Sequence, residues 1–145
     1  MPRHSAIAKI VRAINELTSD NYVMYLGRLR HEYVSEMIRL GRHNLVVVLT
    51  GERRRHYLTD HPEMIRCERE LHRVVLQPDQ VHRNRKDPHT AIFYKRFDDD
   101  YFLRAAIVLQ PKAGELKHSG FSFRLAKEKE VEDGRRAGRV IWNRK

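Results

Sequence analysis

At 145 residues the chain suits one domain with a single core, and 41% apolar against 33% charged residues exclude a disordered polypeptide. Its 29 Lys and Arg outnumber 19 Asp and Glu for a net charge of +10, which favours a nucleic acid, RNA above all, over a membrane surface as partner. The single cysteine, Cys67, excludes an internal disulfide and a cysteine-based zinc site, so a reducing cytoplasm is the expected compartment.

From Ser5 the apolar residues Ile7, Ile10, Val11, Ile14 and Leu17 recur at intervals of three and four, which predicts an amphipathic helix stopped by Thr18-Ser19-Asp20-Asn21. Leu26, Leu29, Tyr33, Met37 and Leu40 predict a second helix closed by Gly41, so residues 1–43 are expected to form a helical hairpin. Leu45-Val46-Val47-Val48-Leu49 is a pure apolar run, too short for a bilayer, and reads as a buried strand. Thr50 is placed to cap a helix from Glu52 to about Asp60, and His61-Pro62 breaks it. A further helix is expected from Pro62 to about Leu76, buried through Met64, Ile65, Leu71, Val74 and Val75 and ended by Gln77-Pro78-Asp79. Cys67 in its middle reads as a small packing residue.

Residues 83–90 read as a polar loop, after which the period changes to two. Residues 91–97 and 101–109 form a predicted hairpin around Asp98-Asp99-Asp100, and a third strand covers 118–125. Residues 127–138 predict a helix and loop, 139–142 a short edge strand, and the basic stretch beyond Gly134 a tail carrying Arg135, Arg136 and Arg139. The sum is an α+β fold, N-terminal helices packed on an antiparallel meander of about four strands, with residues 44–145 as the main domain of one compact unit.

Alternation sorts the sheet into two faces. Phe93, Leu103, Ala105, Ile107, Phe121 and Phe123 fall on the side covered by helices; Tyr94, Arg96, Arg104, Ser122 and Arg124 fall on the other, read as an exposed face able to hold phosphates and stack a base. Basic clusters at Arg53-Arg54-Arg55 and at Arg83, Arg85 and Lys86 add to the polyanion signal.

His56 and His61 flank the break beside the first of these clusters. Histidine titrates near neutrality, so such a pair can take a proton from a 2′-hydroxyl and return one to the leaving 5′-oxygen. On one straight helix the two would point about 140° apart, so convergence requires the break at His61-Pro62. The run Val46-Val47-Val48-Leu49-Thr50, the His56 helix, His61-Pro62-Glu63, Gln77-Pro78-Asp79, Phe93-Tyr94-Lys95 and the strand over 103–109 resembles, in that order, the phage and mobile-element nucleases of the barnase–EndoU–colicin–RelE (BECR) group. That resemblance covers residues 45–125 and implies a metal-independent endoribonuclease without cofactor, a toxin or phage-associated factor. Its substrate would be RNA, such as tRNA or ribosome-bound mRNA, and an acidic antitoxin or immunity protein its partner. It places His56, His61 and Tyr94 on motif positions; Ser122, Lys95, Arg96 and Arg124 are carried over by strand alone. Ser119 competes with Ser122 for the hydroxyl position, and His118 is a further candidate. Arg53, Arg55, Arg104, Arg135, Arg136 and Arg139 complete the expected RNA contacts. The competing readings are a non-catalytic nucleic-acid-binding protein on the same fold and an operon accessory protein that binds an acidic partner. His56 and His61 lack the zinc-protease spacing, and the chain has no Gly-rich phosphate loop.

Overall fold

A computed structural model describes residues 9–37, 46–109 and 117–144, without the side chains of residues 117–121. The fold is α+β, built on a mostly antiparallel sheet with, among the described residues, eight strands in the order β1-β2-β3-β7-β6-β5-β4-β8. The strands are β1 (Lys9–Val11), β2 (Tyr22–Arg28), β3 (Val46–Thr50), β4 (Gln80–Arg83), β5 (Thr90–Arg96), β6 (Tyr101–Val108), β7 (Lys117–Lys127) and β8 (Val140–Asn143). Among the described residues the α-helices are α1 (His31–Val34), α2 (Gly51–Asp60), α3 (Leu71–Leu76) and α4 (Glu128–Arg136).

The predicted N-terminal helical hairpin is corrected. Lys9, Ile10 and Val11 pair in parallel with Tyr22, Val23 and Met24, and β2 runs antiparallel to β3. A spacing of three and four does not separate helix from strand where β-branched and aromatic residues crowd the same run, and sheet pairing decides. The stripe itself marked the core correctly, since Leu26, Leu29 and Tyr33 are buried. A register shift between Tyr25 and Gly27 reconciles helical spacing with a strand. Gly27 adopts φ +152° there, and an added Cβ would lie 2.8 Å from Leu76 Cδ2. Ser5, Ile7, Leu40 and Gly41 lie outside the described residues.

The remaining expectations hold in most places. Thr50 caps α2, its Oγ1 accepting from the Arg53 N–H at 3.2 Å, and the helix ends at His61 before Pro62. The single helix expected from Pro62 to Leu76 is instead two short 3-10 turns, Pro62–Arg66 and Glu68–Glu70, followed by α3. Asp98 closes the β5–β6 hairpin by accepting from the N–H groups of Asp100 and Tyr101 at 2.9 and 2.8 Å. Between Gln77-Pro78-Asp79 and the loop expected over 83–90 the chain forms β4, which joins the edge strand β8 to the sheet.

Period two sorts the side chains as expected. On the first face Phe93, Leu103, Ala105, Ile107 and Phe123 meet Leu49, Tyr57, Met64, Leu71 and Val74 in the main core, and each large apolar side chain there contributes roughly 1.5–3 kcal/mol. Cys67 is buried among them, its thiol pushed up by that burial. At the edge of this layer Glu68, 5% exposed, accepts from Arg54 Nε and Nη2 at 2.7 and 2.8 Å and from the Tyr57 hydroxyl. Burial, reinforced by this carboxylate, pushes the Tyr57 phenol well up. Phe121 lies outside the described side chains.

The second face is not open, as the alternation alone suggested. The helix α4 lies on it, with Val131 inserted among Ile92, Tyr94, Phe102, Ala106 and Ala126. What α4 leaves uncovered becomes a cleft.

Candidate nucleic-acid interface

Tyr94 on β5 is paired with Arg104 on β6, and Arg104 with Arg124 on β7, so three long polar side chains form one row across the second face. Like charges directly opposite on adjacent strands destabilise a sheet unless something lies between them. Glu130, two residues into the first turn of α4, supplies it. Its Oε1 lies 2.8 Å from Arg124 Nη2 and its Oε2 3.2 Å from Arg104 Nε, and the Tyr94 hydroxyl donates to Oε2 at 2.7 Å. Arg104 Nε meets Glu130 at ion-pair distance but too obliquely for a hydrogen bond, and remains a buried donor without an acceptor among the described residues. Burial alone would raise the Glu130 carboxyl; the Tyr94 hydrogen bond and the Arg124 and Arg104 guanidiniums outweigh it and hold the group below the usual carboxylate range. Burial and the bond to Glu130 push Tyr94 up to about 12.

The same row borders a cleft of about 450 Å³ whose wall is completed by His82 and Arg83 of β4, the following Asn84, Arg85 and Lys86, and Arg139 before β8. His82 is 2% exposed; its Nε2 is 2.8 Å from Gln80 Oε1 and its ring stands edge-on to Tyr94 at 4.8 Å. Burial first, and then Arg139, pushes its imidazole down to about 4, so His82 is neutral at pH 7. Gly134 of α4 permits this packing, because an added Cβ would fall 2.5 Å from His82 Nδ1. Asn84 Oδ1 accepts from the Lys86 and Asp87 N–H groups at 2.8 and 2.9 Å, folding the loop so that its basic residues line the cleft.

Charge here is one-sided. The cleft carries Arg83, Arg85, Lys86, Arg104, Arg124 and Arg139 against the single carboxylate of Glu130. Arg83 reaches Glu36 at 3.3 Å, whereas Arg85, Lys86 and Arg139 make no ion pair among the described residues. A concave site with this surplus attracts an anion more strongly than a flat face of the same composition.

The predicted site residues divide between the two faces. Tyr94, Arg104, Arg124 and Arg139 meet in the cleft, and Ser122, opposite Ala106, shares their face. Arg96 lies on that face over the Phe102 ring at 4.1 Å and pairs with Glu128. His56 and His61 belong to α2 and its end, which pack on the first face through Tyr57 against Phe123. His56 lies near Asp20, and His61 Nδ1 is 3.7 Å from Glu63, so the structure does not bring either histidine to the arginine row. Arg53 and Arg55 are on α2 as well, with Arg55 bound to both Asp20 oxygens at 3.0 and 2.9 Å. Lys95 faces the first side with Leu103 and donates to the Gln77 carbonyl at 2.7 Å. Arg135 and Arg136, expected in a tail, are on α4 and share Glu132, while the residues after them form β8. The side chains of His118 and Ser119 lie outside those described, although β7 carries both beside Val47 and Val48 of β3.

Sequence reasoning missed His82, Glu130 and Gly134. The alternation Val81-His82-Arg83 and the spacing of Glu130, Val131 and Gly134 on one side of a helix were the available signals. Among the described residues no three His, Cys, Asp or Glu side chains form a group able to hold a metal ion, and no helix is long and apolar enough to cross a membrane. Compared with protein-family models, curated proteins and solved structures, the chain matches none of them.

Proposed function

We propose that the protein binds RNA by seating the phosphate backbone of a single-stranded segment in the basic cleft of the second face. The surplus of cations over the single Glu130 carboxylate carries the reading. Arg85, Lys86 and Arg139 supply charge with no internal counter-ion among the described residues, and Arg104 and Arg124 present forked donors suited to phosphate oxygens. A fluorescently labelled single-stranded RNA, followed by anisotropy, tests it. Arg85→Ala with Lys86→Ala, on an exposed loop, should weaken binding at least tenfold, while Arg55→Ala on the opposite face leaves it unchanged. Equal loss in both variants would sink the assignment of the cleft.

A second reading adds cleavage at the same place, by attack of the neighbouring 2′-hydroxyl without metal to leave 2′,3′-cyclic ends, as in the BECR nucleases that the sequence resembles. The observation favouring it is convergence: the Arg104 and Arg124 guanidiniums, the Tyr94 phenol, the Glu130 carboxylate and the His82 imidazole line one cleft. The titration of these groups favours binding, because a base near 4 and an acid near 12 are both poorly matched to proton transfer at pH 7. Incubation in excess chelator with ordinary and 2′-O-methyl RNA separates the two. Cutting of the ordinary RNA alone establishes the nuclease, and intact RNA that remains bound leaves the binding function.

A further inference from the structure

On the first face, where the end of β8 meets the turn after α3, lies a second cavity of about 630 Å³ that the cleft does not include. Its apolar wall is Tyr33, Pro78 and Trp142, and its charged rim is Arg30, Lys95 and Arg144. Tyr33 is buried and fixed by donating its hydroxyl to the Leu76 carbonyl at 2.9 Å; Trp142 packs edge-on against it with ring centroids 4.5 Å apart. The indole is therefore held rigid from behind while remaining part of the cavity wall. Lys95 gives one hydrogen bond to the neutral Gln77 carbonyl, which leaves two of its three donors over and its charge uncompensated among the described residues. Arg144 stands 3.1 Å from Asp79 and Arg30 3.6 Å from Glu32, but among the described residues no acidic side chain lines the cavity itself.

The geometry points to a binding site for a nucleotide unit, a planar heteroaromatic base laid on Trp142 with its phosphate held by Lys95 and Arg30. An inorganic anion would leave the fixed indole unused, and a neutral aromatic would leave the Lys95 charge unanswered. A nucleotide satisfies both, since a base stacks on an aromatic ring whatever its identity. The unit has two possible sources, a free mononucleotide or one residue of the RNA strand bound in the cleft. The second source rests on the proposed cleft function; the first does not. Arg139 of the cleft precedes β8 and Arg144 follows it, so a strand leaving the cleft along this edge runs from one site to the other.

Trp142 is the only tryptophan of the chain, so its fluorescence reports on this cavity and no other. The unmodified full chain is titrated with adenosine monophosphate, with ribose 5-phosphate and with a short single-stranded RNA carrying an anisotropy label. Stacking quenches or shifts the emission with adenosine monophosphate or RNA, and ribose 5-phosphate does not reproduce it. Quenching by the mononucleotide identifies a free-nucleotide site, whereas quenching by RNA alone identifies a base of the strand. Lys95→Ala should weaken the quenching ligand about tenfold. Trp142→Leu, which keeps an apolar contact for Tyr33, should weaken RNA held by this base roughly 5- to 140-fold by anisotropy. If RNA binds by anisotropy and neither it nor the mononucleotide changes Trp142, this inference fails and the cleft stands. If RNA does not bind and adenosine monophosphate still quenches, the cleft fails and this site stands. Equal responses to adenosine monophosphate and ribose 5-phosphate overturn the base-stacking claim.

Discussion

Raising the salt concentration tests how many phosphates the cleft neutralises, and the structure sets the number. Arg85, Lys86 and Arg139 have no acidic partner among the described residues, and Arg104 and Arg124 together exceed Glu130 by one charge, which makes about four cations available to a backbone. For a single strand each neutralised phosphate contributes about −0.7 to the slope of log affinity against log salt, so a slope near −2.8 is expected. Between roughly 50 and 200 mM salt that slope lowers affinity by about 50-fold. The double variant Arg85→Ala, Lys86→Ala removes two of the four, so its slope should fall to about −1.4 and its loss over the same interval to about sevenfold. Both residues stand on an exposed loop held by Asn84, so the fold survives their truncation. Anisotropy of a labelled oligonucleotide at five or six salt concentrations gives both slopes. A parent slope shallower than −1, or a double variant with the parent's slope, would refute the argument that these charges meet the backbone.

Other consequences follow from the same contacts. Gly134→Ala drives a Cβ to within 2.5 Å of the buried His82 ring; overpacking of that kind costs about 1–3 kcal/mol, and the melting temperature should drop by roughly 2–10 °C. An unchanged melting temperature would mean that α4 does not press on His82. Glu68→Gln removes the carboxylate that neutralises the half-buried Arg54, so urea denaturation should register a loss of about 1–3 kcal/mol, against little for Glu128→Gln at the exposed Arg96 pair. Below neutrality the protein should lose stability. His82 has a folded value near 4 against an ordinary 6.5, so the unfolded chain binds the proton first and stability falls as pH drops through that interval, by up to roughly 3 kcal/mol. Glu130, depressed in the folded state, adds to the loss below the ordinary carboxylate value, and His82→Asn should flatten the upper part of the profile. Finally, His56→Ala and His61→Ala should leave RNA affinity unchanged, because both lie on the face opposite the cleft, and a tenfold loss in either would contradict that placement.

What the sequence disclosed was local. The period-two runs around Leu103, Phe123 and Arg124 placed each side chain on its observed face, because alternation is a property of one strand and needs no knowledge of its neighbours. The Thr50 cap, the Pro62 break and the Asp98 turn were legible for the same reason. Failures occurred where pairing between distant segments decides. Ile10 and Val23 fit either a helix or a strand, and only their pairing with each other and that of β2 with β3 settles it. The candidate site suffered from the same limit. Tyr94, Arg104 and Arg124 were visible as one face, but Glu130, which holds them together, comes from a helix whose docking no local pattern fixes. His56 and His61 drew notice through their chemistry and proximity in sequence, neither of which encodes the side of the sheet that a helix covers.

The measurement that bears most directly on the cleft is a titration of isotope-labelled protein with a short single-stranded RNA, followed by backbone and arginine Nε–H nuclear magnetic resonance. The cleft account predicts that the largest shifts fall on Arg85, Lys86, Arg104, Arg124, Gly134 and Arg139, with α2 and His61 nearly still. Shifts concentrated on α2 around His56 and His61, with Arg104 and Arg124 unmoved, would contradict it and return the site to the first face.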